Sequence, residues 1–534
     1  MKLTRAIALV AALALVAAAC GDSGTTTTTT QASGTETTAP ATTQGSGTET
    51  TAAPPTTAAP DEGGGTLTVA RFESFGGWLL DAAGAYGDYG AHLAVMEPLL
   101  RFAEDGESLE PGLAETWNYD PDGLTMTFTL QEGARFSNGD PVTAEDIAFS
   151  LEVWRSGPNF GPSWDSIAAV TGDGREIVME LAYADNTIMP IMASSVSGIM
   201  PKDFGGLTEA EYYDDPIGAG AFQVEEWSLD RIVLKPNEFF YDPTRPKVDE
   251  VVLMTLADEQ ERQILFEAGD IHINELVSST QAAQYDPADL YIPKIHAVDH
   301  LGLNVLMPPF DDVLARQAVA YAIDYEAMLA AFGEQWFELP TGILAPNIRG
   351  WAPPTEPYFR RDLAKAQDLL DQSTAAGGVD AELIYDSGDD HMALMVQIIQ
   401  ANLADIGINV TLTGLETGAF LDRAYGLDAQ MSVWGYGAIT PDISDPMIWI
   451  ASTEWLFSGF ETDTLWEDWF NYAVAETEDE MTAVVTKIQD DAFQNAQAIA
   501  LAQGPYMAAV NQNLTGYWQA PWPLSYWDTI AFGG

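Results

Sequence analysis

The stretch Leu383–Leu412 reads LIYDSGDDHMALMVQIIQANLADIGINVTL, and its periodicity changes twice. Leu383 to Tyr385 is a short apolar run of strand character, and Asp386 to Asp390 is a polar loop. Met392, Val396, Ile399, Leu403 and Ile406 then recur at helical spacing and make one apolar stripe. Gly407 stops that helix, and Ile408, Val410 and Leu412 alternate as the next strand. Strand, helix and strand in this order form a βαβ unit, which predicts an α/β fold with a largely parallel sheet covered on both faces. Such sheets bind ligands beyond the carboxyl ends of their strands, which places the Asp386 loop on the functional rim.

Outward from this unit the same alternation continues. A strand over Gln430 to Trp434 leads into WGYGAITPDISDP, Trp434 to Pro446, so two aromatics and the carboxylates Asp442 and Asp445 start at a strand end. These residues suit a catalytic acid/base pair, a cation site, a clamp for an amine or an ordinary turn. Upstream, Leu301 to Val305 reads as a strand and Pro308 and Pro309 break it. Leu314, Ala318, Tyr321, Ala322, Tyr325 and Met328 then predict one amphipathic helix. In the first half, Thr66 to Ala70 is a short strand. Leu124, Met126, Phe128 and Leu130 alternate with threonines as a half-buried strand. Thr143 stands where it can cap a helix carrying Ile147, Leu151 and Trp154, with Glu145 and Asp146 at the positive helix end.

The ends and the composition bound the function. Lys2 and Arg5 precede an apolar run from Ala6 to Ala19 and then Cys20, the pattern of a signal peptide over residues 1–19. The run is too short to span a bilayer comfortably. Ala17, Ala18 and Ala19 ahead of Cys20 resemble a bacterial lipobox, so Cys20 is the expected lipidation site. It is the single cysteine, which excludes an internal disulfide. Residues 20–64 are almost wholly Thr, Ala, Gly, Pro, Ser and Glu and read as a disordered tether, because they hold too little apolar surface to offset ordering. The body that follows is long enough for two lobes with their own cores. Eighty acidic against 21 basic residues leave a net charge of −59, which excludes nucleic acid as a partner. That charge reads either as a solvated acidic coat or as attraction for cationic solutes.

Signals of catalysis are missing. No G-x-S-x-G, H-E-x-x-H or GxxxxGK[ST] occurs. His92, His272, His296, His300 and His391 are scattered, and the residues between His296 and His300 alternate as a strand, so no shared metal is expected. Asp120, Asp122 and Gly123 form a turn without the spacing of a calcium loop. Asp442 and Asp445 as a glycosidase pair find no other support. The chain reads as a non-enzyme with no cofactor.

Motifs in order along the body carry a resemblance. They are Leu113-Ala-Glu-Thr-Trp117, Asp122-Gly-Leu-Thr125, Leu130-Gln-Glu-Gly-Ala-Arg-Phe136, Asn138-Gly-Asp-Pro141 and Thr143-Ala-Glu-Asp146. Pro216-Ile-Gly-Ala-Gly220, Ala268-Gly-Asp-Ile271, Arg316-Gln-Ala318 and Tyr321-Ala-Ile-Asp324 follow. Together they resemble the extracytoplasmic solute-binding proteins of peptide- and nickel-type ABC importers, family 5.

The resemblance implies a two-lobed periplasmic-binding-protein type II clamp, cluster C-like, closing on its ligand and read by a membrane permease and its ATPase. The first lobe would span residues 65–300 plus 510–534, with an extra subdomain at about 117–215, and the second 301–509. The protein would be a lipid-anchored monomer on the outer face of the cell membrane, binding peptides. An oligosaccharide, a cationic solute, a metal chelate or a sensor role without transport are the alternatives. In peptide-binding members an Asp at the place of Asp442 pairs with the ligand ammonium, and Asp445-Pro446 would be the turn that presents it. A buried ammonium needs such a partner. Trp434 and Tyr436 would supply apolar walls and cation–π contact, Tyr385, at the end of its strand, would also bind the ligand, and Phe75 and Trp78 would line the cleft from the first lobe. Dipeptide-binding relatives can carry an Arg after the strand that here ends at Tyr385, for the ligand carboxylate. This chain has Asp386-Ser387-Gly388 instead, which leaves the ligand open.

Overall fold

The strand Thr66–Arg71 lies in a seven-stranded sheet with parallel neighbours on both sides, Glu250–Thr255 and Ile273–Val277. Leu67, Val69 and Ala70 are fully buried, as a strand covered on both faces must be. The outer strands, Arg231–Pro236 and Phe222–Ser228 on one side and Met507–Val510 and Leu290–Tyr291 on the other, run antiparallel to their neighbours. This computed structural model describes residues 64–80, 88–157, 160–293, 297–346, 348–452, 457–460, 464–519 and 525–533. The leader, Cys20 and the tether through residue 63 lie outside the described residues, as does His296.

A second, five-stranded sheet is built on the βαβ unit. Val379–Asp386 pairs in parallel with Ile408–Leu415 and with Met431–Tyr436, and the helix Asp390–Ala404 is the crossover between the first two. Its Met392, Val396, Ile399 and Leu403 are buried as the stripe predicts, and Gly407 ends the turn at φ +82°. Ala297–Leu303 and Ala498–Gly504 complete the sheet in antiparallel sense. Both sheets are therefore mixed and not largely parallel. A parallel pair needs a crossover connection, and Ala297–Leu303 and Ala498–Gly504 are the segments by which the chain enters and leaves this lobe. The pairing also puts Ala297 to His300 in the second lobe and returns Met507–Val510 to the first, a few residues from the expected boundaries 301 and 509.

A third, four-stranded antiparallel sheet is formed by Ala114–Asp120, Thr125–Leu130, Glu176–Leu181 and Ile167–Asp173. Met126, Phe128 and Leu130 are buried and the alternating threonines half-buried. The helix Ala144–Ser156 begins with a capping box in which Thr143 N donates to Asp146 Oδ2 at 2.7 Å. The predicted single helix from Leu314 to Met328 is two, Val313–Ala322 and Tyr325–Phe332. Asp324 divides them, because its carboxylate accepts from Ala327 N at 3.0 Å and so starts a new helix. Gly218 and Gly220 pass directly against the backbone of Ala94 and Val95, where a Cβ would overlap carbonyl oxygens.

Candidate functional site

The carboxyl ends of the central parallel strands converge. Thr66–Arg71 delivers Phe72 and Glu73, Val379–Asp386 delivers the loop to Asp390, and Met431–Tyr436 delivers the segment that runs to Pro446. Between the lobes lies a cavity of about 580 Å³, open solvent included. Phe72, Glu259 and Arg262 line it from the first lobe, and Asp389, His391 and Phe337 from the second. A second cavity of about 360 Å³ is lined by Glu73, Asp386, Phe420 and Trp434. Phe72 and Asp389 border both, so the two share a wall of one residue from each lobe.

The expected site residues divide. Trp434 reaches the second cavity, half-buried, stacked on Phe420 at 5.6 Å and 13° and edge-on to Phe457. Tyr436, on the same face of the strand two residues on, is buried and opens onto a separate apolar cavity of about 310 Å³ with His300, Ile343 and Pro446. Tyr385 is half-buried beside Gly414 and borders none of these three cavities. Phe75 and Trp78 are both 1% exposed and pack edge-to-face at 4.9 Å with Trp227 close by, inside the first lobe and away from these cavities.

Asp442 has no exposed surface, and its carboxylate is already engaged. Arg349 Nη1 donates to Oδ2 at 2.5 Å, Tyr472 O–H to the same oxygen at 3.3 Å, and Ser444 N to Oδ1 at 2.9 Å. Burial raises its pKa and Arg349 opposes the rise. An incoming ammonium would have to displace the guanidinium. Asp445 stands in the first turn of the helix Ser444–Ser452 and accepts from Ile439 N at 2.5 Å and Thr440 N at 3.3 Å. Burial pushes its pKa up to about 7 against these bonds and one from Tyr436.

Several cavity residues carried no local signal in the sequence. Phe72, the helix pair Glu259 and Arg262, Asp299 and Tyr506 come from four separate segments. His391 directly follows the Asp386–Asp390 rim loop, which was the one available hint. Its Nε2 lies 2.9 Å from Asp299 Oδ2, and Phe337 stacks on its ring at 5.1 Å. Burial lowers its pKa, but the charge and hydrogen bond of Asp299 outweigh that and leave it raised. Among the described residues no group of three His, Cys, Asp or Glu side chains is placed to hold a metal ion, and no helix is long and apolar enough to cross a membrane.

Two lobes with an intervening chamber at the ends of their parallel strands define a clamp of the solute-binding type. The chain belongs to the bacterial extracellular solute-binding proteins, family 5, whose description "Bacterial extracellular solute-binding proteins, family 5 Middle" matches residues 108–457. Its fold is the two-lobed type II clamp, and like its family it is a binding protein and not an enzyme. It is 27% identical over 408 residues to the di/tripeptide-binding protein 3 of Pseudomonas aeruginosa, covering 68% of this chain and 74% of that protein. In solved structures it resembles the periplasmic binding protein DppA of Helicobacter pylori in complex with the peptide STSA. That match has 22% identity and TM-score 0.77 over 89% of this chain and 99% of that one. It also resembles MoaA of Agrobacterium in complex with mannopinic acid, with 21% identity and TM-score 0.79 over 88% and 99%.

Proposed function

We propose that this protein is the substrate-binding lipoprotein of an ABC importer, anchored through Cys20, which captures peptides between its lobes and delivers them to a membrane permease and ATPase. The observation that carries the reading is the chamber at the ends of the central strands, with Phe72, Glu73, Asp386, Asp389 and Trp434 on its walls. Relatives named for peptides support the class of solute. Carboxylates outnumber cations on these walls, which suits a ligand with a positive end, such as a free α-amino group or a basic side chain. Trp434 is the aromatic wall for that ligand. Asp442 acts at one remove, by fixing the half-exposed guanidinium of Arg349.

A ligand that binds only the folded state raises its melting temperature. Peptides of two to ten residues, scored against oligosaccharides and polyamines, are expected to give the large shifts. Shifts with oligosaccharides alone would overturn the peptide reading, and shifts with polyamines alone would leave a cationic-solute carrier. Cys20→Ser is expected to release the protein from the membrane fraction, and its retention there would remove the lipid anchor.

A further inference from the structure

His391 is set between the lobes. It lies in the first turn of Asp390–Ala404 in the second lobe, 6% exposed, with its ring packed on Phe332 and Phe337. Its Nε2 meets Asp299 at 2.9 Å, and its Nδ1 lies 3.4 Å from Oγ of Ser279, on the first-lobe helix Ser279–Ala282. The second contact crosses the lobe boundary beside the 580 Å³ cavity. We propose that Ser279, His391 and Asp299 form a proton-controlled clasp: with His391 charged the lobes hold together over the cavity, and loss of that proton lets them part. The clasp concerns closure and stands apart from the identity of the solute.

The charged groups around the ring give the direction. Asp299 faces it from the strand Ala297–Leu303 and also accepts from Tyr506 O–H at 3.4 Å. Asp389 and Asp390 stand on its own loop, Asp386 lies one turn of chain away, and Glu259 and Arg262 face the cavity from the first-lobe helix Glu259–Ala268. A charged imidazole donates from both nitrogens, to Asp299 and to Ser279. A neutral one still donates to Asp299 and accepts from the Ser279 hydroxyl, so what the clasp loses is the positive charge, and among the described residues Arg262 then remains the single cation of the wall against Glu259, Asp299, Asp389 and Asp390. Glu259 and Asp389 sit on opposite lobes, so unscreened repulsion between them and their neighbours pushes the lobes apart. Burial raises the pKa of both Glu259 and Asp389, so acid removes their charges and acts in the same direction as a charged His391.

Small-angle scattering of the ligand-free full chain between pH 5 and 9 reads the closure. The radius of gyration is expected to increase with pH in the wild type, to be larger at low pH and to change less with pH in His391→Gln, where only the carboxyls still titrate, and to respond in Glu259→Gln with a lower midpoint, because the Glu259 carboxylate favours the charged imidazole. A flat profile in the wild type overturns the clasp, as does a wild-type pH response in folded His391→Gln. Should His391→Gln fail to fold, an unmoved or higher midpoint in Glu259→Gln overturns it.

Discussion

Arg349 Nη1 stands 2.5 Å from Asp442 Oδ2, joining a guanidinium that is 51% exposed to a carboxylate with no exposure. The backbone reinforces the pair, since Arg349 N donates to Pro441 O and Ile443 N to Arg349 O, both at 3.0 Å. The WGYGAITPDISDP segment is therefore pinned to the Arg349 loop by main chain and side chain together. The same arginine lies 3.3 Å from the carbonyl of Asn186 in the first lobe, so this carboxylate takes part in an interlobe contact through its partner.

Arg349→Ala would leave Asp442 buried with only Tyr472 and Ser444 as donors. A buried charged acceptor that loses a partner costs about 1–3 kcal/mol, and the half-exposed position of Arg349 favours the lower end. Urea denaturation is the measurement. A variant as stable as the wild type would mean that water replaces the guanidinium without cost.

Trp434→Ala removes the ring stacked on Phe420 and one wall of the second cavity. Full burial of a tryptophan lost to alanine costs about 3–5 kcal/mol, so a half-buried one is expected to cost roughly half that in stability. Peptide affinity, measured by calorimetry at a temperature where the variant is folded, is expected to fall at least tenfold. Equal affinity would place the ligand elsewhere in the chamber.

The sequence motif Pro216-Ile-Gly-Ala-Gly220 has a mechanical reason. Gly220 N donates to Val95 O at 2.9 Å, and a Cβ on Gly218 would overlap that same carbonyl. Backbone cannot yield as a flexible side chain can, so Gly218→Ala is expected to cost about 3 kcal/mol or to prevent folding. A melting temperature within a degree of the wild type would contradict the contact.

How far the fold was legible follows from which signals are local. The βαβ unit around Asp390–Ala404 showed itself because an apolar stripe with a glycine stop belongs to one segment. The strand character around Leu301 was legible too, but the antiparallel direction of Ala297–Leu303 and Ala498–Gly504 was not, because strand direction depends on partners far away in the chain. The same holds at the site. Trp434 borders the second cavity from a strand end that the sequence shows, whereas Phe72, Glu259 and His391 meet only once the lobes come together. Phe75 and Trp78 mark the opposite error: aromatic residues after a first strand suit a cleft wall or a core equally, and Trp227 draws these two inward. Asp442 reads as a free carboxylate until the fold brings Arg349 beside it.

Buried carboxyls set the acid response of the whole molecule. Asp445 is pushed up to about 7 and Glu275 to about 7, in each case first by burial, and Asp88 to about 6. In the unfolded chain these groups titrate near 4. Between about pH 4 and pH 7 the folded state therefore holds protons that the unfolded state has lost, so stability falls as pH rises through this window and levels off above it. The protein is expected to melt higher at pH 5 than at pH 8, against the usual behaviour of salt-bridged carboxylates. Asp445→Asn keeps an oxygen for Ile439 N and Thr440 N but carries no charge at any pH. It is expected to flatten the curve and to be the more stable protein at pH 8, by an amount on the order of a kcal/mol or more. Calorimetric melting of both proteins across pH 4 to 8 decides it, and parallel curves would mean that Asp445 titrates in the ordinary carboxylate range.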